Sequence, residues 1–219
     1  MVTKQAAPAY ESEAFRWTAA QVVSTHVLAH VRKATVGRPE LLNTHPFSYG
    51  CWMLVHNGNL GAFQAIRQRI IDFIGPHHAA AIEGTTDSEN VFHLLLASME
   101  RYPDRPTMEI LRTGIQLVRS WSRSADPTAE VALNLMLTNG RELYGSRVDR
   151  SLWYVERHEV HPCQVCGGAR HVERVPASDY RAVVIASEPI TSDEDWKDVP
   201  DESLFRLGPD IEISFEPLD

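Results

Sequence analysis

The sequence predicts a layered α+β fold, and two observations support that class. Apolar residues spaced three and four apart, which is typical of helices, are concentrated between residues 60 and 121. Alternating apolar residues, which are typical of strands, predominate after Asp126. Because helices and strands come in blocks and not in a regular β-α-β alternation, the pattern disfavours a doubly wound parallel sheet.

Four segments have the spacing of helices. Asn59 is the expected N-cap of the second, and residues 86–89 before the third have the S/T-x-x-E form of a capping box. Residues 75–89, which include His77 and His78, are predicted to form a solvated loop. The predicted helices cover residues 12–23 with Phe15, Ala19 and Val22 on one face, residues from Leu60 to Ile74, residues from the Thr86 cap to Met99, and residues 107–121.

The strand pattern occurs before and after the helical block. Asn139-Gly140 is placed as a hairpin turn after the alternating residues 131–137, and residues 151–160 are expected to pair with that hairpin. The other predicted strands are residues 24–32, 51–57 and 180–191, and a closing hairpin over residues 203–218 around Gly208-Pro209-Asp210.

Residues 51–57, CWMLVHN, read as a buried strand that stops in a polar corner at residues 56–59. A turn explains such a corner, and so does a site that needs an amide side chain beside an unobstructed backbone N–H. Cys51, at the start of this strand, is interpreted as a small buried hydrophobic residue.

Charge and composition exclude several classes of protein. The net charge is −8 and the pI about 5.7, which argues against non-specific binding to nucleic acid or to an anionic membrane, since both need a basic face. Three cysteines do not suggest a secreted disulfide scaffold. No apolar run reaches the roughly 20 residues of a membrane helix, and the N-terminal residues have no apolar signal region. A cytoplasmic protein is therefore expected.

Three short pieces carry candidate site residues, and each has a simpler interpretation alone. Arg32 would be a solvated strand end, although a guanidinium can bind a carboxylate through two hydrogen bonds. Asn57-Gly58 would be a turn. Asp87 would be an acid in the first turn of a helix, where the helix dipole favours it.

Together the pieces form an ordered set, which is H-x-R-x-A-T-x-G at residues 30–37, NTHPF at 43–47, HNG at 56–58 and TTDSE at 85–89. The set, with the later VVIASEPIT segment, resembles the class II glutamine amidotransferases, and most closely their small stand-alone type. The resemblance covers essentially the whole chain. It implies one amidotransferase domain over residues 1–219, the four-layer αββα sandwich of the N-terminal nucleophile hydrolases, a small-molecule substrate and no cofactor.

The resemblance also implies roles for individual residues. The family splits the side-chain amide of glutamine into glutamate and ammonia, and another γ-glutamyl compound is an open alternative as substrate. Arg32 would bind the substrate's α-carboxylate with a hydroxyl contact from Thr35, and Asp87 would pair with its α-ammonium group. The side-chain NH₂ of Asn57 and the backbone N–H of Gly58 would form the oxyanion hole.

The sequence departs from the family at the nucleophile, which is a cysteine at the start of the mature chain. Here residue 2 is Val2, the first cysteine is Cys51, and the strands that precede the family's first helix are absent. We therefore expect a truncated form of a genuine amidotransferase, with unpaired sheet edges that favour a homodimer. The alternatives are a chain that has lost hydrolysis and a non-catalytic glutamine-binding module.

Residues 157–175 are predicted to form a hairpin insertion that contains cysteine and histidine. Cys163-x₂-Cys166 is half of a zinc site, which His161 and His171 could complete. The simpler interpretation is a tight hairpin whose thiols merely lie close together. Metal analysis of the purified protein distinguishes the two, and a zinc ion there is expected to be structural and far from the glutamine pocket. A zinc-stapled interaction module is a further alternative for the function of the chain.

The purified polypeptide of 219 residues is predicted to have no appreciable glutaminase activity. Loss of a catalytic nucleophile typically lowers the rate by a factor on the order of 10⁶. Ammonia release from L-glutamine should therefore equal that of a heat-denatured sample of the same preparation. Release at a normal enzymatic turnover would contradict the prediction.

Overall fold

The computed structural model describes residues 1–6, 11–31, 40–160 and 180–219 of the chain. The helices are α1 (Glu13–Gln21), α2 (Phe63–Ala81), α3 (Asp87–Arg101) and α4 (Thr107–Ala125), with a short 3₁₀ helix at Leu41–Asn43. The strands are β1 (Phe47–Tyr49), β2 (Trp52–Leu60), β3 (Val131–Thr138), β4 (Leu143–Arg147), β5 (Trp153–Arg157), β6 (Ala182–Ala186), β7 (Lys197–Asp198), β8 (Ser203–Leu207) and β9 (Ile213–Pro217).

The strands form two antiparallel sheets that pack face to face. The larger sheet has the order β1-β2-β3-β4-β8-β9, and the smaller has the order β6-β5-β7. Phe205 and Phe215 of the larger sheet share a small hydrophobic core with Tyr154 and Ile185 of the smaller one. This interface leaves the opposite face of the larger sheet for helices.

Helices α2, α3 and α4 cover that opposite face. Leu133, Leu135 and Leu137 of β3 alternate towards the helices and join the main core, which also contains Ile70 of α2 and Ile115 of α4. The described elements therefore stack as a helix layer and two sheets, and the predicted α+β class is confirmed.

Strand β2 extends beyond the predicted polar corner. It does not stop at Asn57 but continues to Leu60, which pairs with Val131 of β3. The sequence predicted the end of the strand too early, because polar residues in a strand resemble a turn when the partner strand is unknown. The predicted N-cap of the next helix is also wrong, because the N-cap of α2 is Ala62 and not Asn59.

Helix α2 also continues past its predicted end. It kinks at Gly75, whose φ is 75° and ψ is 174°, and resumes after Pro76 to end at Ala81. Proline is tolerated after such a break because its missing N–H is not needed there. His77 and His78 are consequently helical, and the prediction of a solvated loop for them is wrong.

The capping box before α3 is confirmed in one of its two hydrogen bonds. Thr86 is the N-cap, and its hydroxyl accepts the N–H of Glu89 at 3.2 Å. The Glu89 carboxylate does not return to Thr86 but accepts the N–H groups of Glu83 and Gly84 at 3.0 and 2.7 Å. It thereby fixes the residues that lead into α3. Burial raises the pKa of Glu89, and these two hydrogen bonds oppose that rise.

The predicted helix near the N-terminus forms, but the strand predicted after it is wrong in its described part. Helix α1 has Ser12 as its N-cap, and Phe15 and Val22, which were predicted to share one face, are 48% and 39% exposed. Residues 24–31 belong to neither sheet, although Leu28 packs against the small core. Alternation along a segment predicts which side chains share a face but does not supply a partner strand.

The second half of the chain largely follows the predicted strands. The hairpin between β3 and β4 turns at residues 139–142, with Gly140 at φ 83°, and the closing β8-β9 hairpin is confirmed. The expected pairing of residues 151–160 with the first hairpin is wrong, because β5 pairs with β6 and β7 while β4 pairs with β8.

Cys51 lies in the two-residue turn between β1 and β2 and is exposed, so its interpretation as a buried residue is wrong. Its strand begins one residue later, at Trp52. Gly50 precedes it with φ 58°, a conformation that a tight turn between two strands requires and that glycine adopts without strain.

A buried pair of histidines connects α2 with α3. Nδ1 of His78 lies 3.0 Å from Nδ1 of His93, and Nε2 of His78 lies 3.1 Å from a carboxylate oxygen of Glu100. Burial, and then the charges of His78 and His77, lower the pKa of His93 from 6.5 to about 4. One ring of the pair must therefore stay neutral to accept the hydrogen bond from the other.

Acidification is predicted to destabilise the protein through His93. A histidine pKa that is lowered to about 4 in the folded state means that the unfolded chain binds the proton first. Stability therefore falls as the pH falls from about 6.5 to 4, by at most about 3 kcal/mol. Urea unfolding at pH 7 and pH 4.5 measures this loss.

The matched variants are His93→Asn, which cannot titrate, and His158→Gln, which removes an exposed histidine. We expect His93→Asn to reduce the loss of stability at pH 4.5 and His158→Gln to leave it unchanged. An equal pH dependence in all three proteins would show that His93 is not the responsible group.

Candidate functional site

The candidate residues lie along the part of β2 that extends past the end of β1. Strand β1 begins at Phe47 and pairs with residues 52–54 of β2. On its other side β2 pairs with β3 up to Leu60. In the described ranges no strand pairs with residues 55–60 on the side away from β3, and we call that side the free edge.

The direction of the Gly58 N–H follows from the alternation of backbone N–H groups between the two sides of β2. Gly61 donates its N–H to the Glu130 carbonyl at 2.9 Å, in the register that pairs residue 60 with residue 131. Backbone groups in an antiparallel ladder alternate between the two sides of the strand. The N–H groups of Gly58 and Leu60 therefore point to the free edge. Leu60 agrees, because its N–H bonds to a side chain there and not to β3.

That side chain is Asp87, the first residue of α3. Its Oδ2 accepts the N–H of Leu60 at 2.8 Å, and its Oδ1 accepts the N–H of Ser88 at 2.8 Å. The side chain is 5% exposed. Because residues rise about 3.4 Å each along an antiparallel strand, the N–H of Gly58 lies about 7 Å from the N–H that Asp87 holds. The fold thus brings Gly58 and Asp87 to one edge.

Asn57 projects from the face of β2 that is turned towards the smaller sheet. Its side-chain nitrogen donates to the hydroxyl of Ser187 at 2.9 Å, immediately after β6. The backbone carbonyl of Ser187 in turn accepts the hydroxyl of Ser151 at 2.9 Å. Since an amide NH₂ has two hydrogens, Asn57 keeps one for a further acceptor. Ser187 was not predicted as a site residue, although it lies in the VVIASEPIT segment.

Gly58 has no room for a side chain. A Cβ atom there would lie 2.0 Å from the carbonyl oxygen of Ala132 and 2.9 Å from Nε2 of His56. Its φ of 153° is also one that residues with side chains rarely adopt. Glycine is therefore required by close approach of the strands as well as by its backbone conformation.

His56 and Ser88 support this edge from the helix side, and sequence reasoning missed both. Nδ1 of His56 lies 2.9 Å from the hydroxyl of Ser88, and its Nε2 lies 3.1 Å from the carbonyl oxygen of Ala132. His56 is 3% exposed. The burial of His56 could have been inferred from the alternation of side chains along a strand. His56 is an even number of residues from Leu54 and Leu60, so it shares their buried face.

Arg32 and Thr35 lie outside the described residues, as do Cys163 and Cys166 with His161 and His171. The described parts of the motifs do meet. The rings of His30 and His45 lie 4.1 Å apart, and the Asn43 side chain accepts the N–H of Thr85 at 2.8 Å. The segments before and after residues 32–39 are thus tied to the loop that leads into α3.

The described part of the chain contains no group of three or more His, Cys, Asp or Glu side chains that could hold a metal ion. Every helix within the same ranges is too short or too polar to cross a membrane.

Comparison with known proteins identifies the family. The family model described as "Glutamine amidotransferases class-II" matches residues 1–212. The chain belongs to the class II glutamine amidotransferases. The family predicted from the four motifs is therefore confirmed.

Two relatives show how far the likeness extends. A probable glutamine amidotransferase of Saccharomyces cerevisiae is 29% identical over 230 residues, which cover 93% of this chain and 63% of that protein. A gamma-glutamyl-hercynylcysteine sulfoxide hydrolase of Mycobacterium tuberculosis is 30% identical over 206 residues, which cover 93% of this chain and 68% of that protein. This amidotransferase chain thus spans about two thirds of the length of these relatives.

Solved structures agree on the fold. A glutamine aminotransferase class-II domain protein from Silicibacter pomeroyi has a TM-score of 0.72 at 24% identity, covering 98% of this chain and 84% of that one. Glutamine phosphoribosylpyrophosphate amidotransferase from B. subtilis has a TM-score of 0.56 at 16% identity, covering 87% and 34%. The amidotransferase therefore has the fold of the N-terminal nucleophile hydrolases, as predicted.

Replacement of Gly58 by alanine is predicted to destabilise the amidotransferase by about 3 kcal/mol, because a Cβ atom would overlap the Ala132 carbonyl. Gly140→Ala is the matched control, since Gly140 also has a positive φ but no atom within 4 Å of its Cβ position. We expect it to cost about 1 kcal/mol. Equal losses in urea unfolding would show that close packing does not determine residue 58.

Proposed function

We propose that this class II amidotransferase domain binds L-glutamine or another γ-glutamyl compound at the free edge of β2. The observation that carries the proposal is the placement of the Gly58 N–H and the Asp87 carboxylate on that edge, with the Asn57 amide beside them. Donors for an oxygen and an acceptor for an ammonium group are what the two ends of such a substrate need.

Asn57 and Gly58 act on the amide end of the substrate. When a nucleophile attacks the amide carbon, negative charge develops on the amide oxygen. The Gly58 N–H and the second hydrogen of the Asn57 NH₂ then stabilise that oxygen, and one such donor is worth roughly 3–4 kcal/mol in the transition state. Both donors are fixed before the reaction, because β3 holds the backbone of this pair and Ser187 holds the Asn57 amide.

Cys51 is not the nucleophile of this reaction. It lies seven residues before Gly58, and the six residue steps of β2 from Trp52 to Gly58 alone span about 20 Å. Hydrolysis needs the thiolate of an N-terminal cysteine such as the family uses, whose own α-amine serves as the base, and residues 1–50 of this sequence contain no cysteine.

Asp87 binds the α-ammonium group of the substrate. Its Oδ2 accepts one hydrogen bond from Leu60, which leaves a lone pair on that oxygen. Its burial reduces screening by solvent and so strengthens attraction to a cation. The separation of about 7 Å between the Gly58 N–H and the group that Asp87 holds matches an extended glutamine side chain in scale. In the same proposal Arg32 binds the α-carboxylate of the substrate, and the Thr35 hydroxyl contacts it as well.

The γ-glutamyl group is the part of the substrate that the proposal specifies. The Saccharomyces relative is named a glutamine amidotransferase, and the Mycobacterium relative is named a hydrolase of a gamma-glutamyl compound. The substrates in both names contain this group. In the proposal Arg32 binds its α-carboxylate and Asp87 binds its α-ammonium group. The two reactions differ in the group that is attached to the γ-carbonyl carbon and is released on hydrolysis, which is ammonia when the substrate is glutamine. Free glutamine is the simpler substrate to test.

L-glutamine is predicted to bind the purified chain saturably, and Asp87→Asn is predicted to weaken that binding at least about tenfold, since a charge-assisted hydrogen bond is lost. Isothermal titration measures both affinities. The second ligand is 5-amino-5-oxopentanoate, which is glutamine without its α-amino group. Asp87→Asn should leave the affinity for this ligand unchanged within about twofold, because no ammonium is present to pair.

Asp126→Asn removes an exposed carboxylate and is the matched control, which we expect to bind glutamine like the wild type. Arg32→Ala should weaken binding of both ligands, because both carry the carboxylate. A wild-type chain that binds neither ligand contradicts the proposal. An equal effect of Asp87→Asn on both ligands would remove Asp87 from the ammonium site.

A further inference from the structure

We propose that His56 is a positioning residue for the oxyanion donors, and that its ring joins the Asn57-Gly58 backbone to the helix terminus that carries Asp87. The catalytic meaning of this inference rests on the proposed function. The contacts themselves can be tested without substrate. His56 belongs to the HNG motif of the resemblance, but the resemblance implied a role only for Asn57, Gly58 and Asp87 and none for His56.

The two ring nitrogens of His56 have different partners, and these determine the position of the proton. Nε2 lies 3.1 Å from the Ala132 carbonyl oxygen, which can only accept, so Nε2 carries the hydrogen. In the neutral ring Nδ1 is then an acceptor, and the Ser88 hydroxyl donates to it at 2.9 Å. The same hydroxyl lies 3.3 Å from Oδ1 of Asp87, so the histidine offers the shorter contact.

The ring lies directly beneath Gly58 on the helix side of the strand. Its Nε2 is one of the atoms within 3 Å of the position that a Cβ atom of Gly58 would occupy. The absence of that side chain is what lets the imidazole reach across β2 to the Ala132 carbonyl. The ring therefore supports the Gly58 peptide from one face of the sheet, while the N–H of Gly58 points along the free edge, which no strand of the described residues pairs with.

The first turn of α3 is attached to β2 on both sides of the oxyanion pair. Ser88 bonds to His56, which precedes Asn57, and Asp87 bonds to the N–H of Leu60, which follows Gly58 by two residues. Two attachments resist both sliding and rotation of the helix terminus relative to the strand. With the His56 attachment in place, the distance between the Gly58 N–H and the Asp87 carboxylate is fixed before substrate arrives.

Imidazole ¹⁵N NMR of the full chain tests the assigned proton position. The His56 signals are identified by their loss in His56→Gln. We expect a neutral ring with the proton on Nε2 at pH 7.5, and we expect Ser88→Ala to shift Nδ1 more than Nε2. A ring protonated on Nδ1, or a ring that averages between both tautomers, would overturn the proposal.

Two substitutions separate the two contacts of the ring. In His56→Gln the longer side chain places an amide nitrogen near Nε2 and can still donate to Ala132, whereas His56→Asn reaches only the position of Nδ1. We expect the backbone amide resonance of Gly58 to stay near its wild-type position in His56→Gln and to move in His56→Asn. Glutamine affinity should fall by less than about threefold in the first variant and by about tenfold in the second.

His158→Asn, at an exposed histidine, is the control and should change neither measurement. If His56→Asn does not fold, Ser88→Ala replaces it, because it removes the Nδ1 contact of the ring. We expect Ser88→Ala to move the Gly58 resonance further from its wild-type position than His56→Gln does. Indistinguishable Gly58 resonances in all variants would refute the positioning role. Absence of glutamine binding by the wild type would refute the proposed function alone, because the tautomer and the Gly58 resonance still decide this inference.

Discussion

The pairing of β2 with β3 from Met53 to Leu60, while β1 pairs only with residues 52–54, is the constraint on which the candidate site depends. β3 fixes the backbone of residues 53–60 by its ladder. The other side of the strand is left with N–H groups that point away from β3, and Gly58 provides one of them. A strand that is held on one side, and that no described strand pairs with on the other, combines rigid geometry with a backbone donor directed away from the ladder.

The helix layer completes this arrangement from behind. Helix α3 begins at the edge of the sheet because Thr86 caps it and Glu89 holds the preceding loop. Its first two side chains then bond to β2 at residues 60 and 56. The acid of the site is therefore placed by the same hydrogen bonds that fasten the helix to the sheet, so its position and the stability of that contact cannot be altered separately.

The sequence predicted the elements better than it predicted their partners. The helical spacing of α3 and α4 and the hairpins at Gly140 and Gly208 agree with the structure, because each depends on neighbours within a few residues. The extension of β2 to Leu60, the continuation of α2 past Pro76 and the exposed face of α1 were not predicted, because each depends on residues far along the chain.

The same distinction applies to the site. Asn57, Gly58 and Asp87 were found through motif order, and the structure places them at neighbouring positions, whereas their roles stay predictions. His56, Ser88 and Ser187 were missed, because nothing in the composition of a segment indicates that a ring will bond to a carbonyl on another strand. Register, which the sequence does not contain, is the information that was lacking.

The short 3₁₀ helix at Leu41–Asn43 has a consequence for the openness of this edge. In the register that pairs Phe47 with Leu54, a longer β1 would bring Asn43 opposite Gly58. A backbone donor engaged by a neighbouring strand cannot also serve a substrate, so the two arrangements are mutually exclusive. By turning the chain aside before that point, with the Asn43 side chain bonded to Thr85, the 3₁₀ helix leaves the free edge at Gly58 without a paired strand from β1.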